Sequence, residues 1–458
     1  MTLFRTKPIS ADTEDRDGSL KRVLGATDLV LMGIGAIIGA GIFVLTGQAA
    51  IQAGPAIVVS FAVSGLACAF AALAYAELAS AIGGCGSAYG YAYAGLGEFV
   101  AWIIGWDLLL EYGVATAAVS IGWSGYVNSA LTAIGIPLPA DLLNGPLGGG
   151  IINLPAVLII LLLGVLLAVG VRTSARFNAA MVFVKLLAIG VFIAVATFHV
   201  DPANWHPFFP AGWSGTMHGA ALIFFAYIGF DAVSTAAEET RNPRRDLPIG
   251  ILVSLAVCTV LYMVVSGLLT GIVPYYTLTG ASPVADAMLH IHERWVAAMI
   301  SAGAIAGLTT VMLVLYYGLT RICLAMSRDG LLPPLFSAVH PRTHTPVRVI
   351  LVSGVFMAAV AGFTPIGDVA ELVNIGTLAA FVLVCAGVMV LRRTQPDLPR
   401  PFRTPWSPLV PLLGIGFCIY LMVSLPLVTW MRFVIWMALG LVVYFSYSRM
   451  HSVLATEP

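Results

Sequence analysis

Gly33-Ile34-Gly35-Ala36-Ile37-Ile38-Gly39-Ala40-Gly41-Ile42-Phe43 sets four glycines among nine consecutive positions of an otherwise apolar, uncharged run. Each glycine in a helix interior costs about 1 kcal/mol relative to alanine, so the cluster predicts backbone that leaves the helix. Close helix packing through small residues competes with this reading when the stretch is taken alone. A second stretch bears on the choice. Phe224-Phe225-Ala226-Tyr227-Ile228-Gly229-Phe230-Asp231 places a glycine and an ionisable acid near the middle of another long apolar run.

The rest of the chain says what surrounds these runs. Of 458 residues 59% are apolar and only 10% charged, 22 basic and 22 acidic. Soluble domains carry about 25% charged residues, so the solvent of this chain is lipid. Apolar runs fall near 27–50, 55–81, 97–130, 151–171, 177–200, 215–239, 248–273, 296–320, 348–363, 370–391, 407–427 and 430–448. At about 20 residues per span, these twelve leave no room for a large soluble domain. Zero net charge offers no basic face for nucleic acid. Cys68, Cys85, Cys258, Cys323, Cys385 and Cys418 show no metal-ligand spacing and read as reduced packing residues. The polar segment Met1 to Lys21 lacks the apolar core of a cleavable signal, so the first span is expected to be permanent.

Cytoplasmic loops collect Lys and Arg. With the N-terminus inside, 19 of the 22 basic residues fall on the cytoplasmic side; Arg294 and Arg432 lie outside, and Lys185 sits within the fifth span. Both termini are therefore expected in the cytoplasm, and the protein in the cell's inner, or plasma, membrane.

The two interruptions occupy the first span of each of two five-span halves. Five is odd, so these spans run in opposite directions, which is the pattern of an inverted-repeat carrier with its site at mid-membrane. Broken backbone is tolerated there only when buried in protein or facing a wet cavity. A half-helix starting near Gly41 offers free N–H groups and a positive dipole end to a carboxylate. Carbonyls freed at Phe225, Ala226 and Ile228 suit an ammonium group, and the two together suit an α-amino acid. Gly39 and Gly41 let a ligand approach the backbone.

The stretches IGAIIGAGIFVLTG (34–47), FFAYIGFDAVSTAAEETRNPRRDLPIGI (224–251) and AMSRDGLLP (325–333) resemble the cationic amino acid transporter branch of the amino acid/polyamine/organocation superfamily, over about residues 20 to 450. The resemblance implies an all-α membrane fold of twelve helices: a LeuT-type 5+5 inverted repeat with broken first and sixth helices, plus two C-terminal helices. The corresponding layout is an N-terminal tail (1–22), a transport core (23–393, in halves near 23–201 and 213–393), helices 11 and 12 (394–448) and a C-terminal tail (449–458). It also implies that Ile37, Gly39, Ala40, Gly41 and Ile42 bind the substrate backbone. Phe225, Ala226 and Ile228 would supply carbonyls to its amine, and Phe230 an aromatic lid. Many relatives carry Ser or Thr where this chain has Ala40, so backbone amides must hold the carboxylate alone.

Ionisable residues inside spans are expensive and read as functional. Lys185 could snorkel to the interface; the resemblance implies instead that it stands where sodium-coupled relatives hold a cation and that it couples transport to protons. Asp231 serves as an N-cap of the second half-helix or contacts substrate. Glu111, with Asp107 one turn earlier, packs against a polar neighbour or, by the resemblance, lines the side-chain end of the pocket and attracts cationic substrates. Tyr316 is core packing, or it shortens that pocket. Glu238 and Arg241 belong to a charged cluster that reads as a solvated face or an inner gate, and Asn242-Pro243 and Leu247-Pro248 read as turns.

The leading expectation is a proton-coupled importer of L-amino acids, cationic or small neutral. An exchanger, an amino acid/polyamine antiporter and a non-transporting amino acid sensor are the alternatives. No Walker motif is present. An intramembrane redox protein or enzyme would need His or Cys ligands on facing spans, yet the eight histidines lie in loops or near span ends, so no cofactor, metal or enzymatic activity is expected. The expected partners are substrate, proton and lipid; a small membrane subunit or an oligomer is not legible.

Overall fold

The computed structural model describes residues 5–7, 24–82, 88–133, 135–170, 175–341, 343 and 345–456. Cys85 and most of the N-terminal tail lie outside the described residues, as do the side chains of Arg176, Glu238 and Glu239. Among the described residues there is no strand, only one isolated bridge between Leu24 and Thr240.

The helices, in chain order, are α1 (Ala26–Ile37), α2 (Thr46–Ala53), α3 (Ile57–Ile82), α4 (Ala88–Gly95), α5 (Glu98–Ala133), α6 (Leu154–Val169) and α7 (Ala175–Ala196). They continue with α8 (Gly212–Ile223), α9 (Pro243–Ile272), α10 (Pro283–His290), α11 (Arg294–Arg328) and α12 (Val347–Phe363). The chain closes with α13 (Ile366–Thr394), α14 (Leu409–Val423), α15 (Leu427–Val443) and two short turns, α16 (Arg449–His451) and α17 (Val453–Thr456). Among the described residues, eight helical runs are long and apolar enough to cross a bilayer, and α6, α12 and α14 are shorter apolar helices. The first run, Ala26–Ile82, has 57 residues. As one straight helix it would be about 85 Å long at 1.5 Å per residue, nearly three times a bilayer core of about 30 Å. It is interrupted after Ile37 and again at Gly54–Ala56.

Helix starts follow the sequence. Asn153 caps α6 by accepting from the Ala156 N–H, with Pro155 in the first turn. Asn242-Pro243 begins α9 as expected of a turn, but Leu247-Pro248 lies inside that helix. The expected turn at Leu247-Pro248 is therefore corrected.

Burial sorts the spans. Within an 18-residue apolar window, 94% of Gly212–Ser234 is buried, against only 17% for Leu427–His451. On α14 and α15, Leu412, Val423, Leu427, Val428, Ile435 and Val442 are exposed, an apolar surface suited to lipid. The two glycine-bearing stretches thus lie at the centre, where close approach is decisive. A Cβ on Gly41 would stand 2.2 Å from both Cα and Cβ of Ala226, so the two broken spans touch backbone to backbone. Gly41→Ala is expected to cost about 1–3 kcal/mol of stability by overpacking, while Gly190→Ala on α7, where a Cβ meets nothing within 4 Å, leaves stability unchanged or raised. Thermal unfolding of the two purified variants checks the contrast.

Candidate functional site

The first break begins where α1 ends. Ile38 turns extended (ψ 99°) while its N–H still closes on the Ile34 carbonyl at 2.9 Å. The chain resumes as a π-helical turn over Gly41–Leu45, a form that marks functional sites frequently. Thr46 Oγ1 lies 3.0 Å from the Gly41 carbonyl and 2.9 Å from that of Ile42, and the Tyr126 hydroxyl donates to Phe43 O at 2.6 Å.

The second break tightens before it opens. After α8 the chain makes a 3-10 turn at Phe224–Tyr227, Ile228 is extended (ψ 136°), and Gly229 takes φ 110°. That dihedral belongs to glycine, and a Cβ there would also stand 3.0 Å from the Ala36 carbonyl. Helical turns then resume over Phe230–Glu239. At the approach to this break, Asn374 of α13 donates through Nδ2 to the carbonyls of Ala221 and Leu222, both at 2.8 Å.

The Tyr262 hydroxyl, fully buried on α9, lies 2.8 Å from the Ile37 carbonyl and 3.1 Å from the Ala226 carbonyl. One side chain therefore ties the first break to the second. Sequence reading missed Tyr262 and Asn374, which sit in ordinary apolar helices with no local signal.

Lys185 is 1% exposed, and its ammonium donates to Gly35 O at 2.7 Å and Ile38 O at 3.0 Å. A side chain that ends on the last turn of α1 does not reach the interface, so snorkelling is set aside. Its stem passes Gly307 of α11, where a Cβ would stand 2.8 Å from Cε.

Asp231 is buried and accepts from the Tyr112 hydroxyl at 3.2 Å. The neighbouring Glu111 is also buried. Asp107 is 2% exposed with Oδ1 lacking a hydrogen-bond partner, against Gly376. Phe230 packs edge-on to Tyr75 at 5.7 Å and against Phe381 at 5.2 Å.

The structure thus brings together Ile37, Gly39, Ala40, Gly41, Ile42, Phe225, Ala226, Ile228, Phe230, Asp231 and Lys185 around the paired breaks. Tyr316 stands apart from this group. Its hydroxyl donates to Ile350 O at 2.5 Å and its ring faces Gly164 and Gly354, so it bridges α11 to α6 and α12. The backbone of Arg241 donates to Leu24 O at 2.9 Å, joining the far end of the second broken span to the start of the first.

Multiple apolar helices of membrane-crossing length around two backbone breaks indicate a multi-pass membrane protein. The amino acid permease family model matches residues 24–447, and the chain belongs to that family. It is 51% identical to the branched-chain amino acid permease BcaP of Bacillus subtilis (strain 168), over 98% of each chain. It is 50% identical to the methylthioribose transporter of the same organism, over 99% of each. A vacuolar cationic amino acid transporter 4 of Arabidopsis thaliana is 39% identical over 86% of this chain and 68% of its own length.

Removing the bridging hydroxyl leaves two buried carbonyls short of a donor. Tyr262→Phe is expected to lower stability by about 1–3 kcal/mol, whereas Tyr276→Phe, at a residue 66% exposed after α9, leaves it within about 0.5 kcal/mol; chemical unfolding of the purified proteins measures both.

Proposed function

We propose that this protein carries L-amino acids across the plasma membrane by alternating access, driven by protons. In this reading it has twelve spans in a LeuT-type inverted repeat with both termini cytoplasmic. The observation that carries it is the Lys185 ammonium on the carbonyls of Gly35 and Ile38. Charge-assisted hydrogen bonds are roughly twice as strong as neutral ones, so loss of the lysine proton weakens the hold on the last turn of α1. Proton release and movement of the first broken span are then one event.

The substrate carboxylate would meet the N–H groups that open the π-helical turn at Gly41 and Ile42. Its ammonium would take the carbonyls of Ile37, Phe225, Ala226 and Ile228, displacing the Tyr262 hydroxyl from two of them. Phe230 would close over the bound molecule. Glu111 and Asp231 favour a cationic side chain, while the similarity to a branched-chain permease favours an aliphatic one. The methylthioribose transporter of nearly equal identity supports a second reading, a thioether sugar in place of an amino acid.

A radiolabelled panel of leucine, valine, alanine, arginine, lysine and methylthioribose in proteoliposomes, with the pH gradient and sodium varied independently, tests the proposal. The expected result is sodium-independent accumulation of at least one amino acid that collapses with the pH gradient. Lys185→Ala is expected to abolish gradient-driven accumulation; full proton-driven uptake by that variant would remove the coupling role. Accumulation of methylthioribose alone would replace the substrate class, and strict one-for-one exchange would replace symport.

A further inference from the structure

A second polar cluster lies away from the breaks, where the N-terminal segment, α4, the start of α5, the end of α11 and the C-terminal residues meet. Two residues of this cluster face two ways. The Glu98 N–H donates to Arg5 O at 2.8 Å, while its buried carboxylate accepts from Ser452 Oγ at 2.5 Å and the Tyr444 hydroxyl at 3.1 Å. The Asp329 carboxylate accepts from Lys7 Nζ at 2.8 Å and the Tyr89 hydroxyl at 2.7 Å, while its carbonyl accepts from the Val453 N–H at 3.1 Å. Each therefore holds the N-terminal segment on one side and the C-terminal residues on the other.

The C-terminal residues are built for this contact. Tyr444–Ser448 form a π-helical turn, and the buried Ser448 Oγ donates to Leu331 O at 2.6 Å. Gly330 has φ 77°, and a Cβ there would stand 2.1 Å from His451 O, so the strap lies directly on backbone after α11. Burial, with the Asp329 charge beside it, raises the Tyr89 hydroxyl well above its ordinary value, so it remains a donor. The N-terminal side is weaker. The Lys7–Asp329 pair is half exposed at the lysine, and exposed pairs hold little by themselves. Two backbone bonds, from Glu98 N–H to Arg5 O and from Lys7 N–H to Tyr93 O at 3.0 Å, complete the docking.

We propose that residues 444–453 are an inhibitory strap: by fixing Glu98 and Asp329 they hold Arg5–Lys7 against α4, α5 and α11, and so slow the opening of this mouth of the carrier. The proposal rests on the transport reading above. Without Ser452 the buried Glu98 carboxylate loses a donor and must draw in water, which loosens the start of α5 under Arg5.

The test is the full-length Ser452→Ala/Val453→Pro variant. Ser452 already has φ −55° and ψ 133°, which suits a following proline, and Val453 opens a helical turn, where proline fits. Two readouts are made in parallel. Hydrogen exchange of peptides covering Arg5–Lys7 and Glu98 is expected to speed up in the variant. Initial uptake of L-leucine and L-arginine into proteoliposomes is expected to rise roughly three- to tenfold, the scale of one or two hydrogen bonds; Ser452→Thr should keep wild-type values. Exchange at Arg5–Lys7 as slow as in wild type, with residues 452–453 released, would overturn the strap. Faster exchange with unchanged or slower uptake would overturn its inhibitory role. If the double variant does not fold, Val453→Pro alone is read by the same two measurements. If wild type carries neither probe, that result counts against the transport reading, and hydrogen exchange alone decides whether the strap holds the N-terminal segment.

Discussion

Breaking a helix inside a bilayer frees carbonyls that have no water to turn to, and everything around the two breaks answers that constraint. Four neighbouring helices each send in a donor: Lys185 from α7, Tyr262 from α9, Asn374 from α13 and Tyr126 from α5. An unsatisfied buried group costs about 1–3 kcal/mol, comparable to a large fraction of a domain's stability. The breaks exist because the surrounding helices carry these side chains at the right depth and azimuth.

Dependence runs in both directions for Lys185. A buried ammonium in the membrane is expensive unless it finds carbonyls or an opposite charge, and Gly35 and Ile38 supply those carbonyls only because α1 ends at Ile37. An unbroken α1 would pair those carbonyls internally and leave the lysine without acceptors. The break and the charge stabilise one another, which is why a lysine is found at such depth.

This explains which parts of the site were legible in the sequence. Glycine clusters announce themselves because glycine is costly in a helix, and an isolated lysine in an apolar run stands out against lipid. Gly41, Gly229 and Lys185 were therefore readable from local pattern. Tyr262 and Asn374 were not, since a tyrosine or an asparagine in an apolar helix has many uses and its target lies on a span remote in sequence. Tyr316, read as core packing or as the end of a pocket, turns its hydroxyl to Ile350 on α12; that azimuth is fixed by packing that no single span encodes. The strap was invisible for the same reason: Glu98 and Ser452 are 354 residues apart.

Packing also divides the helices in a way that gives the polar bonds their weight. One group, α1, α2, α3, α8 and α9, packs mutually along its lengths; a second, α5, α6, α11 and α12, does likewise, with α7 against α11 and α1. Within a group, apolar side chains interlock as in any close-packed interior and resist sliding. Between the groups the described polar ties are few and singular: Lys185 to the end of α1, Tyr126 to Phe43 and Tyr112 to Asp231. Tyr262, by contrast, belongs to the first group and ties the two breaks to one another within it. On the transport reading proposed above, a relative movement of the two groups would exchange these few hydrogen bonds, each of which a bound ammonium, carboxylate or proton could replace or release.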